Sequence, residues 1–173
     1  MNRLFSVAVL GAAFLCASTK AAAVALLIPV TYDPLASVPE KVREECRLDY
    51  QLQSEISNAL VRYFKSGSGT TTSTDGQVVR VSITYVLGPA AGAFSGPKSI
   101  TILAELLNNG KVERSAKLHR TSVSVNIFKG TCSILDKDAR VLGKDVVKWI
   151  ENPSYGTQDD AMPPEEAGSA AAK

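Results

Sequence analysis

The chain has 173 residues, 45% of them hydrophobic and 21% charged, with a formal net charge of +2. That is the size and composition of one folded domain, and it excludes a disordered or fibrous chain. The near balance of 19 basic and 17 acidic side chains excludes a general nucleic-acid binder, which needs a strong basic excess.

The first residues read as an export signal. Met1-Asn2-Arg3 is a short positive start, and Leu4–Leu15 is an uncharged apolar run. Ala21-Ala22-Ala23 offers an A-x-A cleavage site, so residues 1–23 are assigned as a secretory signal peptide. The apolar run is shorter than the roughly 20 residues that a spanning helix needs, and Lys20 interrupts its extension. Cys16 ends the run but follows Leu15, with Ala13 three residues before it, which is the wrong order for a lipidation site. The expected locale is therefore periplasmic or secreted, with no transmembrane segment in the mature chain and lipid anchoring less favoured.

Removing the signal leaves Cys46 and Cys132 as the two remaining cysteines. In an oxidising compartment they are expected to pair, closing a loop of about 87 residues for about 4.6 kcal/mol in the chain-entropy picture. Free buried thiols are the alternative; no C-x-x-C spacing supports a redox pair.

Val24–Tyr32 is apolar and β-rich, a first strand. Ser37-Val38-Pro39-Glu40 has capping-box spacing, and the helix it starts is expected to reach Phe64, with Val42, Leu48, Leu52, Ile56 and Leu60 in one stripe. Ser66–Gly76 is a polar loop. Val78–Leu87 alternates as a half-buried strand, and Gly88–Pro97 is a second loop before the strand Ser99–Leu107. Asn108-Asn109-Gly110 signals a hairpin turn, since Asn and Gly accept positive φ. The return strand covers about Val112–Ile127, and its change of apolar parity suggests a bulge. A helix over Thr131–Glu151 ends at Asn152-Pro153, and residues 153–173 read as a disordered acidic tail.

This order, β-α-β-β-β-α over residues 24–152, predicts an α+β two-layer sandwich: a four-stranded, largely antiparallel sheet with two helices on one face. Together with Ser95-Gly96-Pro97-Lys98 and the stretch Lys144-Asp145 through Trp149, the topology resembles small bacterial envelope proteins of the lipopolysaccharide-assembly accessory and transporter-auxiliary lipoprotein type. The resemblance implies an accessory role and assigns no functional residues. The sequence departs from it at Cys16, which lacks the lipoprotein context.

No catalytic, cofactor or metal motif emerges. Gly92–Ser99 has the wrong glycine spacing for a phosphate-binding loop, and Pro97 removes an N–H that such a loop uses. His119, the single histidine, lacks both a nucleophile and an orienting acid in sequence. The candidate partner-binding residues are Phe94, Ser95 and Lys98 around the second loop, with Lys111, Arg114, Lys117 and Arg120 on the basic return strand. The basic stretch has a second reading, an edge strand kept soluble by charge. The expectation is a non-enzymatic exported accessory or binding protein of a cell-envelope assembly, its partner an envelope protein or an anionic lipid or lipopolysaccharide surface. A freely secreted small binding or inhibitor-type protein is the alternative, and an enzyme the remote one.

Overall fold

A computed structural model describes residues 23–64, 68–88, 96–123 and 130–156. Residues 1–22 of the expected signal, Phe94 and Ser95, and residues 157–173 of the expected tail lie outside them.

The fold is α+β, with three helices and a mixed six-stranded sheet. Its elements are β1 (Ala25–Leu27), β2 (Thr31–Ser37), α1 (Glu40–Cys46), α2 (Leu48–Phe64), β3 (Thr70–Thr71), β4 (Gln77–Leu87), β5 (Lys98–Asn108), β6 (Lys111–Ser122) and α3 (Thr131–Glu151). The sheet runs β3-β1-β4-β5-β6, and β2 also pairs with β4.

Two features correct the expected four-stranded, largely antiparallel sheet. The first strand is two strands. Pro29 has no N–H to give a ladder, so the chain breaks after Leu27 and re-pairs further along the same edge of β4. Thr70 and Thr71, inside the polar loop, add a short strand through backbone bonds alone. Leu26 N–H donates to the Gly69 carbonyl at 2.8 Å, and Ile28 N–H to that of Thr71 at 2.9 Å. β1, β2 and β3 pair in parallel because the helical crossover returns the chain in its original direction. The later strands form the expected antiparallel ladders.

The first helix is also divided. Arg47 sits at φ 45°, the left-handed region, and separates α1 from α2. The stripe survives this break: Val42, Cys46, Leu48, Leu52, Ile56 and Leu60 are all buried. They pack with Leu135, Ala139, Leu142, Val146 and Trp149 of α3 onto Val79, Val81, Ile83, Ile100, Ile102, Ala104 and Leu118. All three helices thus cover one face of the sheet. Full burial of one such Leu or Ile side chain contributes about 1.5–3 kcal/mol.

The turn Asn109-Gly110 has φ of 50° and 79°, as the Asn-Gly pair predicts. A bulge lies near the start of β6, where Leu106 faces Arg114 and Leu107 faces Val112, leaving Glu113 as the extra residue. The bulge expected from the parity change after Leu118 is not found among the described residues, since the pairing runs unshifted from Arg114 to Ser122. Cys46 and Cys132 form a disulfide with Cα atoms 5.0 Å apart, joining the end of α1 to the start of α3. The chain remains ordered past α3, where Pro153–Gly156 form a turn and Tyr155 packs against the core. The apolar body of this tyrosine outweighs the proline-led polarity around it.

Candidate functional site

Strand β6 decides how the sequence-predicted contact residues stand. Its residues alternate between faces, and Arg114 and Arg120 share the parity of the buried Ala116 and Leu118. Both arginines therefore point under the helices. Arg114 donates to the Ile150 carbonyl and lies over the Trp149 ring at 5.1 Å. Arg120 Nε donates to Asp145 Oδ2 at 2.6 Å, and its terminal nitrogen donates to the Tyr155 hydroxyl at 3.1 Å. Tyr155 in turn donates to Asp145 Oδ1 at 2.6 Å. Asp145 is 2% exposed, so this closed triangle supplies the partners that a buried carboxylate needs. The bond to Asp145 holds the Arg120 guanidinium above its usual range, and burial, then Asp145, push the Tyr155 phenol up.

Lys98 is also turned inward. It is 3% exposed, and its Nζ donates to the Gly96 carbonyl at 3.0 Å. Of the predicted basic contacts, Lys98, Arg114 and Arg120 brace the fold, while Lys111 and Lys117 remain exposed. The continuous basic patch is thereby dismantled: a charge run along a strand divides between two faces.

His119 stands on the face away from the helices. Its Nδ1 is 2.9 Å from Thr101 Oγ1 and its Nε2 is 2.7 Å from Thr121 Oγ1, one nitrogen donating and the other accepting in neutral imidazole. Two hydroxyls thus hold the ring across β5 and β6. Asp138 is a second polar group inside the fold. Ser122 donates to its Oδ1, while its Oδ2 has no donor among the described residues. Desolvation pushes its carboxyl above the usual range, against the lowering effect of the Ser122 bond and of Lys137, His119 and Arg120.

Two surface features remain. At one end of the sheet, Tyr85 and Leu87 of β4 and Val123 after β6 are exposed, with Leu35 of β2 exposed at 93%. Tyr85 and Leu87 alternate outward from the buried Val86, and Thr121, across Ser99 from Leu87, leads to Val123. These exposed apolar residues flank the connection that carries Phe94, with the polar Ser99 and Thr101 of β5 between those of β4 and Val123. Sequence reading passed over them because single outward apolar residues on a strand are ordinary. The α1–α3 disulfide lies near this same end. A Cβ added at Gly88 would stand 3.1 Å from the Thr131 methyl and 3.3 Å from one of Val42.

The other feature is a groove of about 610 Å³ between α2 and α3, lined by Arg62 and Asn58 from one helix and Arg140, Lys144 and Lys148 from the other. Ala59 and Val147 line it as apolar groups. Among the described residues no cluster of potential ligands suits a metal ion, and no helix is long and apolar enough to cross a membrane.

No known family matches the chain, and no curated protein matches it. Solved structures are similar in fold. A PelC variant dodecamer from Paraburkholderia phytofirmans has a TM-score of 0.50 at 15% identity, covering 73% of this chain and 90% of that one. A second PelC dodecamer structure from the same organism has a TM-score of 0.47 at 16% identity, covering 70% and 85%.

Proposed function

We propose that the protein is an exported, non-catalytic accessory or binding subunit of a cell-envelope assembly, and that it contacts a partner protein through the loop end of its sheet. The observation that carries this reading is the exposure of Tyr85, Leu87 and Val123, with Leu35 on the neighbouring strand. Several outward apolar side chains beside a glycine-rich connection resemble the buried centre of an interface more than a soluble surface. The Cys46–Cys132 disulfide fits an oxidising compartment. The polar groups with the most chemical promise are already engaged: His119 between two threonines, Asp145 between Arg120 and Tyr155. Such saturation suits bracing better than turnover. PelC, of similar fold, is a dodecamer, which makes a like subunit one partner to consider.

The test is photocrosslinking in the native envelope from a reactive residue placed at Tyr85, Leu87 or Val123, with Lys41 on α1 as control. Adducts of defined mass from the three sheet positions and none from Lys41 are expected. Absence of adducts at all four positions, with a monomer in gentle extracts, overturns the reading. Accumulation of the protein in culture medium favours the freely secreted binding protein instead.

A further inference from the structure

The α2–α3 groove carries a separate inference, on the opposite layer from the exposed Tyr85 and Leu87. Arg140, Lys144 and Lys148 stand at successive i,i+4 positions of α3 and line one wall. Like charges at that spacing destabilise a helix. Arg62 of α2 adds a fourth cation to the same groove. Local neutralisation is partial. Glu55, which also lines the groove, accepts from Arg140 Nε at 3.3 Å, and Lys148 lies 3.7 Å from Asp145 and donates to the Tyr155 hydroxyl at 3.5 Å. Arg62 and Lys144 have no ion-pair partner among the described residues. Glu151 is a further acid near the rim, and it raises the Tyr63 phenol above its usual range.

The helix dipole explains only part of this row. A cation gains from the negative C-terminal end within the last turn, which covers Lys148 and Arg62. Arg140 and Lys144 lie too far back in α3. Arg62 and Lys144, which face each other across the groove without a carboxylate, are the cations left to take an anion that arrives from outside. The row spaces its charges about 6 Å apart at 1.5 Å per residue, so it matches an array of anions better than a single one. Guanidinium groups on both helices suit phosphate oxygens. The half-exposed Tyr63 lines the groove, an aromatic of the type enriched at membrane interfaces.

We propose that this groove binds the phosphate head groups of an anionic lipid surface, holding the helix layer against a membrane. The full chain is tested by cosedimentation with phosphatidylcholine vesicles containing no or 30% phosphatidylglycerol (about one lipid in three). Binding is expected only to the anionic vesicles, falling at least about tenfold when salt rises from roughly 50 to 300 mM. The variant R62Q/K144Q/K148Q is expected to lose at least about tenfold, on the basis of the usual contribution of each basic residue near such a surface. K41Q/K111Q/K117Q, which removes as much charge elsewhere, is expected to change binding less than about twofold, and K144R/K148R to retain it. Matching circular dichroism and melting curves exclude misfolding as the cause of a loss.

Equal loss in the two glutamine variants overturns the proposal, because diffuse charge then suffices. So does a failure to bind anionic vesicles while inorganic phosphate shifts the groove's NMR signals, which assigns the site to a soluble anion. Vesicle binding that appears only after D159N/D160N/E165Q/E166Q also overturns it, since the chain's own acidic end is then the occupant.

Discussion

Gly143 of α3 lies so close to Glu55 of α2 that a Cβ at position 143 would stand 2.9 Å from both the carbonyl carbon and the carbonyl oxygen of Glu55. Backbone, not a flexible side-chain end, occupies the space, so the helices must separate to admit even a methyl group. Alanine is normally the better helix residue by about 1 kcal/mol. Gly143→Ala is nevertheless expected to destabilise by about 1–3 kcal/mol, the usual range for overpacking. Urea unfolding checks this, and a more stable variant would show that the helices adjust freely.

The disulfide gives the second prediction. Cys46 and Cys132 are 86 residues apart, so the bond restrains a large part of the unfolded chain. Cys46→Ser with Cys132→Ser is expected to lower stability by about 2–4 kcal/mol. Far-UV circular dichroism under reducing and oxidising conditions measures the loss, which should be absent when the double variant itself is reduced.

The Arg120–Asp145–Tyr155 triangle is expected to behave as a coupled unit. Arg120→Ala leaves Asp145 buried with one strong partner fewer and should destabilise by about 2–3 kcal/mol, toward the low end of buried pairs because Arg120 is 35% exposed. Tyr155→Phe removes a hydroxyl that donates to a buried carboxylate and should lose about 1.5–3 kcal/mol. In a double-mutant cycle the two losses should not add.

Asp138 predicts a pH dependence of definite sign. Burial raises its folded carboxyl above the ordinary value of 3.8. Its contribution to stability is therefore fully present below that value and is lost as pH rises through the folded value. Asp138→Asn keeps an acceptor for the Ser122 hydroxyl without the buried charge. The variant should melt above the natural chain near pH 7, and the gap should close as pH falls toward 4. A constant gap across melting curves from pH 4 to 8 would exclude the carboxyl as its source.

Much of this architecture was legible because it rests on local chemistry. The Asn109-Gly110 turn, the apolar stripe from Val42 to Leu60 and that of α3 each follow from spacing, and export context pointed to the cysteine pair. The parallel pairing of β1 and β2 onto β4 was not legible, since it depends on where a crossover returns the chain. Nor was the third strand at Thr70, which pairs through backbone alone. The inward contacts of Arg114 and Arg120 were less legible. Their parity with Ala116 and Leu118 is visible in the sequence, but residue type alone marks arginine as a surface residue, although its long stem can run through an apolar layer to a buried acceptor. The α2–α3 groove was missed because its cations come from two helices far apart in sequence, each row unremarkable by itself.

The parallel register of β1 has a directional consequence. Ala25 and Leu26 pair with Val78 and Val79, at the start of β4, whereas Leu87 ends that strand. At about 3.3 Å per residue, β4 places roughly 23–30 Å between the point where the chain enters the sheet and the exposed Tyr85 and Leu87. Arg62 and Lys148 lie toward the other pole, because α2 leads directly into β3 beside β1, and Ile150 of α3 receives Arg114 from the early part of β6. The molecule is thus polar along its strands. Whatever grips its helix C-termini or its leading segment leaves these apolar residues facing outward, like the free end of a short arm.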